Sequence, residues 1–309
     1  MNHYHKILIF ISFGLFCSVS SAQQDPLNSM YVFDKILVNP AFTGSSEWMV
    51  GTIKARKQYT GLEGSPSTQT FNFHTPVQRR TMGVGLKVIN DEIAIVKNLT
   101  ATAIFSYHLN FGGGKLSFGI EGGIQKREID YSKLILSQQN DNAFPLQSAS
   151  ATVPDVSWGL YYQKKQFYGG FSQYHLIKST FNDAAESNSK LYNHFYFLVG
   201  NVFQLSKNWS LEASSLTKYV APAPIQLDVN VIVYYKDRIG LGVQYRTGDA
   251  FVGFLKINIL ENLRVAYGYD MVTSNLSPYA VGSHEIILSY GIKLPPPPTQ
   301  KETHPRYYF

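Results

Sequence analysis

The chain has 309 residues, of which 44% are hydrophobic, 14% aromatic and only 16% charged, with a formal net charge of +6. The basic excess is mild: no Lys/Arg run exceeds the pair Arg79-Arg80 and no basic helix is visible, so no nucleic-acid partner is expected. The one cysteine, Cys17, lies in a segment expected to be removed, which excludes disulfides as a source of stability.

In chain order, residues 1–22 read as a secretory signal peptide. Lys6 precedes the apolar run Ile7 to Phe16, and Ser20-Ser21-Ala22 supplies the small residues of a cleavage site. Phe16 before Cys17 is too large for a lipoprotein cleavage site, so lipidation is not expected. Residues 23–46 read as a periplasmic N-terminal segment, 47–293 as a β-barrel and 294–309 as a Pro-rich periplasmic tail. No later segment reaches the roughly 18–20 consecutive apolar residues of a membrane helix, which leaves a soluble protein or a barrel for an exported chain.

About fourteen strand-like segments follow, near 48–59, 68–75, 81–90, 97–110, 115–127, 155–163, 166–176, 192–205, 209–219, 225–236, 238–246, 250–259, 263–270 and 283–292. Most reach the roughly 9–11 residues that a tilted membrane strand needs. Every second connection is tight, as at Gly112-Gly113-Gly114, Lys164-Lys165 and Lys236-Asp237, whereas 128–154, 177–191 and 271–282 are long. Short turns on one side and long loops on the other are what outer-membrane barrels show, and an even strand number returns both ends to the periplasm. The fold class expected is therefore all-β: one transmembrane antiparallel barrel in the outer membrane, in contact with outer-membrane lipid.

The side-chain alternation agrees, because successive strand residues point to opposite faces. Ile225, Leu227, Val229, Val231, Val233 and Tyr235 oppose Gln226, Asp228 and Asn230; Leu241, Leu263, Ile286 and Leu288 fall on the same apolar face of their strands. Tyr107, Tyr161, Tyr235, Tyr245, Tyr269 and Trp209 lie near strand ends, where an interfacial girdle would sit. The inward charges expected are Lys54, Arg56, Lys87, Arg246, Lys256 and Arg264 with Glu121, Glu212, Asp228, Asp270 and Glu285. Their mixed sign favours a salt-bridged closure of the lumen over a conducting pore; folded loops such as 128–154 could also fill it.

No catalytic, cofactor or metal residues are assigned. Ser283-His284-Glu285 suggests a hydrolase triad, but His284 must point away from its two neighbours on a strand. His74, His108, His175 and His194 are scattered without metal-ligand spacing and are expected as lumen or interface histidines. Gly112-Gly113-Gly114 is a turn, since no helix follows it.

Several motifs resemble the PorP/SprF family of outer-membrane proteins of the type IX secretion system. They open with Gln24-Asp25-Pro26, Met30-Tyr31 and Asn39-Pro40-Ala41-Phe42-Thr43-Gly44, and continue through Arg56-Lys57-Gln58-Tyr59-Thr60-Gly61 and Gly83-Val84-Gly85. They close with Gly242-Val243-Gln244-Tyr245-Arg246-Thr247-Gly248-Asp249-Ala250, Tyr267-Gly268-Tyr269-Asp270 and Gly282-Ser283-His284-Glu285-Ile286. The chain departs from the family pattern at Tyr59, where tryptophan is expected, and at Asp34, where asparagine is commoner. The resemblance implies a non-enzymatic component of secretion and gliding. Its implied partners are periplasmic ring or lipoprotein components and a secreted surface adhesin as cargo. The competing class is a porin-like diffusion channel.

The motif residues have physical readings of their own. Asn39-Pro40 removes a backbone donor and holds Asn39 extended, and Gly44 permits a positive-φ turn. This motif reads equally as a plug, as a brace where the chain enters the barrel, or as a partner-docking element. Arg246 and Asp249 flank the Thr247-Gly248 turn, where an ion pair would orient the turn. In the tail, Pro295 to Pro298 form a stiff spacer that could present Arg306, Tyr307, Tyr308 and Phe309 to a periplasmic partner, the alternative being an inert tail.

Overall fold

The computed structural model describes residues 25–133, 148–182, 188–221 and 223–296. The expected signal peptide, the middle of the 128–154 loop and the terminal residues Arg306, Tyr307, Tyr308 and Phe309 lie outside the described residues.

Among the described residues sixteen strands are present: β1 (Trp48–Thr60), β2 (Ser67–Val77), β3 (Met82–Ile93), β4 (Val96–Phe111), β5 (Gly114–Ile129), β6 (Ala149–Lys164), β7 (Phe167–Tyr174) and β8 (Thr180–Asn182) in the first half. The second half holds β9 (Asn188–Lys190), β10 (His194–Gln204), β11 (Trp209–Val220), β12 (Gln226–Tyr235), β13 (Ile239–Arg246), β14 (Ala250–Asn258), β15 (Leu263–Val272) and β16 (Gly282–Lys293). All but β8 and β9 join one closed barrel, fourteen strands around. Neighbours pair antiparallel, and β1 closes on β16 from Trp48 opposite Lys293 to Thr60 opposite Gly282. Closure leaves no unpaired edge in lipid, which the membrane requires because the hydrocarbon offers no hydrogen bonds to a bare strand.

Two local features differ from the sequence reading. Strand β6 begins at Ala149, upstream of Pro154 and inside the stretch 128–154 that reads in sequence as a long connection. Residues before Trp158 pair only with β5, so Pro154 sits on an unshared edge where its missing N–H leaves no ladder bond unmade. The long loop after β7 carries the small β8–β9 hairpin, whose Phe181 packs with Leu191 on Val153 of that extended edge.

Trp48 and Lys293 mark the end of the barrel that carries the tight turns, and the longer loops lie at the opposite end. The outward face is apolar: Ile53, Ile120, Leu241, Val243, Ile286 and Leu288 are all exposed. Aromatic pairs sit at both rims. Trp209 and Tyr235 meet at the short-turn end, with ring centroids 4.8 Å apart, and Tyr245 and Phe251 meet at the long-loop end, at 4.9 Å. Tyr161 does not belong to this girdle. It is inward and buried, because its strand position shares the parity of Ser157 and Gly159, and it packs edge-on against Phe42 with centroids 5.4 Å apart.

Candidate functional site

The lumen holds the chain's own N-terminal segment. Residues 29–43 are almost all buried, and three 3-10 turns, Tyr31–Phe33, Lys35–Leu37 and Pro40–Phe42, fold them compactly. Asp25 lies beside His175 and His194 near the long-loop end, while Gly44 lies against Thr75, Pro76 and Gly83 near the short-turn end. The segment thus runs the length of the lumen before the chain turns into β1. Residues 29–43, within the stretch 23–46 that reads in sequence as a periplasmic N-terminal segment, lie almost all buried inside the barrel in this structure. The physical reason is the apolar residues Met30 to Phe33 and Ile36 to Val38, which would be stranded in water. Inside, Met30, Tyr31, Val32, Phe33 and Val38 share one buried cluster with Leu198, Leu216, Ile232, Phe254 and Ile287 of the wall. Each such side chain, fully buried, contributes about 1.5–3 kcal/mol.

The motif residues show how closely the backbone is received. Asn39 is extended, with φ −155° and ψ 112°, as the following proline requires. Its Oδ1 accepts from Ala41 N at 2.9 Å and caps the last turn, while its Nδ2 donates to the carbonyls of Leu160 at 2.8 Å and Phe171 at 3.3 Å. Two wall glycines make the approach possible. A Cβ on Gly119 would stand 2.3 Å from Ala41 N, and one on Gly83 would stand 2.2 Å from Thr43 O. His74 accepts from Gly44 N at 3.3 Å, and Ser106 donates to Thr43 O at 2.6 Å. Backbone groups that would otherwise be orphaned in a buried segment are therefore met by the wall.

Above this apolar region, charges from five strands converge on Ser29. Arg56 on β1 donates to Asp270 at 2.7 Å and to Glu285 at 2.8 Å. Arg246 on β13 reaches Asp228 at 3.2 Å, Asp249 at 3.2 Å and Asp270 at 3.4 Å, and is fully buried. Both guanidinium groups donate to Ser29 Oγ, at 3.0 Å and 2.9 Å, and that hydroxyl donates to Asp270 at 2.7 Å. Glu285 accepts the amides of Ser29 and Met30, at 3.0 and 3.2 Å. Lys54, 3.9 Å from Glu285, donates to Asn28 of the segment. The Arg246–Asp249 pair does more than orient its turn: it is one limb of the network that holds the segment in place. Gly248, at φ +72°, forms that turn.

The remaining expected charges divide. Lys87 and Glu121 pair at 2.7 Å, and Glu212 lies 3.7 Å from Lys35 of the segment and accepts from Tyr168 and Tyr234. Lys256 stands over the Tyr234 ring, 4.9 Å from its centroid, and Arg264 faces Ser289 across the β15–β16 pair. Ser283 and Glu285 are buried and inward, whereas His284 is exposed outward and bonded to Tyr267 at 2.6 Å. The three cannot converge on one substrate atom.

Between the segment and the long-loop end lies a small cleft of about 80 Å³, partly open to solvent. Its lining includes Asp25, Lys87, Glu121, Asp155, His175, His194 and Lys218. The two histidines, 19 positions apart in sequence, are brought side by side at the ends of β7 and β10, with ring centroids 5.2 Å apart. Asp25 bridges them, 2.8 Å from His175 Nε2 and 3.1 Å from His194 Nδ1. Burial opposes charging Asp25, yet the two imidazoles hold its carboxyl well below the usual range; burial likewise opposes charging His175, but Asp25 and Asp155 push it up to about 10.

A family model described as type IX secretion system membrane protein PorP/SprF matches residues 20–290. The chain belongs to the PorP/SprF family. It is an outer-membrane barrel associated with the type IX secretion system. No curated protein sequence matches it. Among solved structures, the PorP/SprF barrel is similar to the Ralstonia pickettii toluene transporter TbuX, with TM-score 0.50, 10% identity, and coverage of 84% of this chain and 93% of that one. It is also similar to the CymD monoaromatic hydrocarbon channel, with TM-score 0.49, 10% identity and coverage of 84% and 92%. A third is the translocator domain of the autotransporter NalP from Neisseria meningitidis, with TM-score 0.47, 11% identity and coverage of 80% and 88%. At these identities the likeness is one of fold.

Several residues of this PorP/SprF lumen escaped the sequence reading: Ser29, the apolar wall positions Leu198, Leu216, Ile232 and Ile287, and the Asp25–His175–His194 cluster. A signal existed for the second group. Val231-Ile232-Val233-Tyr234-Tyr235 and Ile286-Ile287-Leu288 are apolar on both faces, which a wet lumen does not call for and a packed one does.

Proposed function

We propose that this barrel is a non-enzymatic component of the type IX secretion and gliding machinery that links periplasmic ring or lipoprotein components to the export or surface retention of a cargo adhesin. The observation that supports this most is the lumen packed with the chain's own segment, in a family defined by secretion. A barrel occupied in this way offers its two rims as working surfaces: tight turns and the start of the tail on one side, long loops on the other. Arg80 ties the first rim together, pairing with Glu47 at 2.7 Å and donating to the carbonyl of Leu294 at 3.2 Å.

The alternative is a porin-like diffusion channel, and the cleft at the long-loop end is the feature that favours it. The test has two arms. Purified barrel in planar bilayers is expected to show low or no steady conductance. Barrel captured from detergent-solubilised outer membranes is expected to bring periplasmic secretion components with it, and its deletion is expected to abolish cargo export or retention. Large, stable, ion-selective channels together with unimpaired cargo would replace this reading with the porin one.

A further inference from the structure

We propose that Asp25, His175 and His194 form a binding site for a divalent transition ion of the zinc class, at the long-loop mouth of the lumen. One side-chain atom from each of the three lies within 4.8 Å of the others. A tetrahedral zinc ion with bonds of about 2.0–2.1 Å separates its ligand atoms by about 3.3 Å. Asp25 turns Oδ1 to His175 Nε2 at 2.8 Å and Oδ2 to His194 Nδ1 at 3.1 Å, so the two oxygens of one carboxylate bridge the two imidazoles. An ion that takes both imidazoles and this carboxylate needs the carboxylate to draw back.

Two further observations point to a ligand. Nδ1 of His175 is bonded to Asp155 Oδ2 at 3.0 Å, leaving Nε2 facing Asp25. A carboxylate on the far nitrogen is the arrangement that orients metal-binding imidazoles and raises their basicity. His194, 2% exposed, turns Nδ1 to Asp25, while its Nε2 and Asp155 Oδ1 beside the site have no hydrogen-bond partner among the described residues. Buried polar atoms without partners are where ordered waters belong.

Asp25, Asp155 and Asp91 face the same cleft, with His175 between the first two, and Lys87 and Lys218 are paired with Glu121 at 2.7 Å and Asp228 at 2.8 Å. A divalent ion takes the place of the proton held between Asp25 and His175. Three protein ligands leave a fourth position open towards the cleft, filled by water or by a donor atom from a partner. The ion would join β7 and β10 to the start of the N-terminal segment and so pin that segment from the long-loop side.

The test uses the full barrel, purified in detergent without a histidine tag, stripped with chelator and titrated with Zn²⁺. Bound zinc is read by elemental analysis after desalting, and a Co²⁺ titration reads coordination geometry from the d–d absorption. The expected result is about one zinc per barrel and a tetrahedral cobalt spectrum. Both should be lost in His194→Ala and in the milder His194→Gln, and kept in His284→Asn, whose ring faces outward. Heat-modifiable gel mobility confirms that each variant is folded. Substoichiometric zinc in the parent barrel, or equal zinc in the folded His194→Gln variant, would overturn the site.

Discussion

The two halves of the buried segment are held by different physics. Around Ser29 the contacts are charged and directional, with two arginines, two carboxylates and two backbone amides meeting within hydrogen-bond distance. From Met30 to Val38 the contacts are apolar except at Asp34 and Lys35, which meet Asn72 and Glu212, and from Asn39 to Gly44 they are backbone approaches permitted by wall glycines. The apolar half supplies most of the driving force, because burial of non-polar surface is favourable in any orientation. The charged half adds little net energy, since taking ions from water costs about as much as their pairing returns. What it supplies is register. Ser29 must sit where both guanidinium groups can reach it, and a slip of one residue leaves charges unpaired.

The strongest way to break this comparison is to strip one partner from the charged half. Glu285→Ala leaves Arg56 and Lys54 short of a counter-ion and two segment amides without an acceptor, and should cost about 3–5 kcal/mol. Thermal unfolding in detergent, followed by gel mobility, measures it. Replacing Glu285 by Gln, which keeps an acceptor, should recover part of that loss. Next in size is Phe33→Ala, which removes an edge-on contact with Phe254 at 5.9 Å between centroids and opens a cavity in the apolar half. It is expected to cost about 3–4 kcal/mol, with a smaller effect on the position of Ser29 than Glu285→Ala has.

Asn39→Ala probes the backbone region. It removes a cap and two donations to wall carbonyls, worth about 1–2 kcal/mol together, and protease sensitivity of the segment should rise with it. The smallest effect is expected at Asp34, which accepts from Asn72 at 2.6 Å. Asp34 is buried, and burying a charged carboxylate is costly. Asp34→Asn should therefore be neutral to stabilising by up to about 1 kcal/mol; a clear loss of stability would mean that its charge is needed by Lys54.

The wall was legible in the sequence and its contents largely were not. Each of the fourteen barrel strands overlaps the segment where alternation places it, though β6 begins earlier, at Ala149, because lipid punishes an outward charge at every position, by about 2–4 kcal/mol for Arg or Lys at mid-depth. Lys54, Arg56, Glu121, Asp228, Arg246, Asp270 and Glu285 were recognisable as inward for the same reason. Nothing in local pattern says that Ser29 meets residues more than two hundred positions away, or that His175 and His194 share Asp25. Those pairings depend on barrel closure and on where the segment threads. Tyr161 shows the limit in miniature: nearness to a strand end suggested a girdle, whereas parity puts the ring inside.

Residues 29–44 occupy the lumen, and a cysteine pair can lock them to its wall. A Cβ on Gly268 would stand 3.2 Å from the Met30 side chain, and Cys17, the one natural cysteine, lies in the expected signal peptide. The double variant Met30→Cys with Gly268→Cys, oxidised in folded barrel or bridged by a short bismaleimide, should form an intramolecular link that shifts mobility on a denaturing gel. Each single variant should not. Efficient linkage in folded barrel is the predicted result; free thiols at both positions, equally open to a water-soluble maleimide, would contradict it.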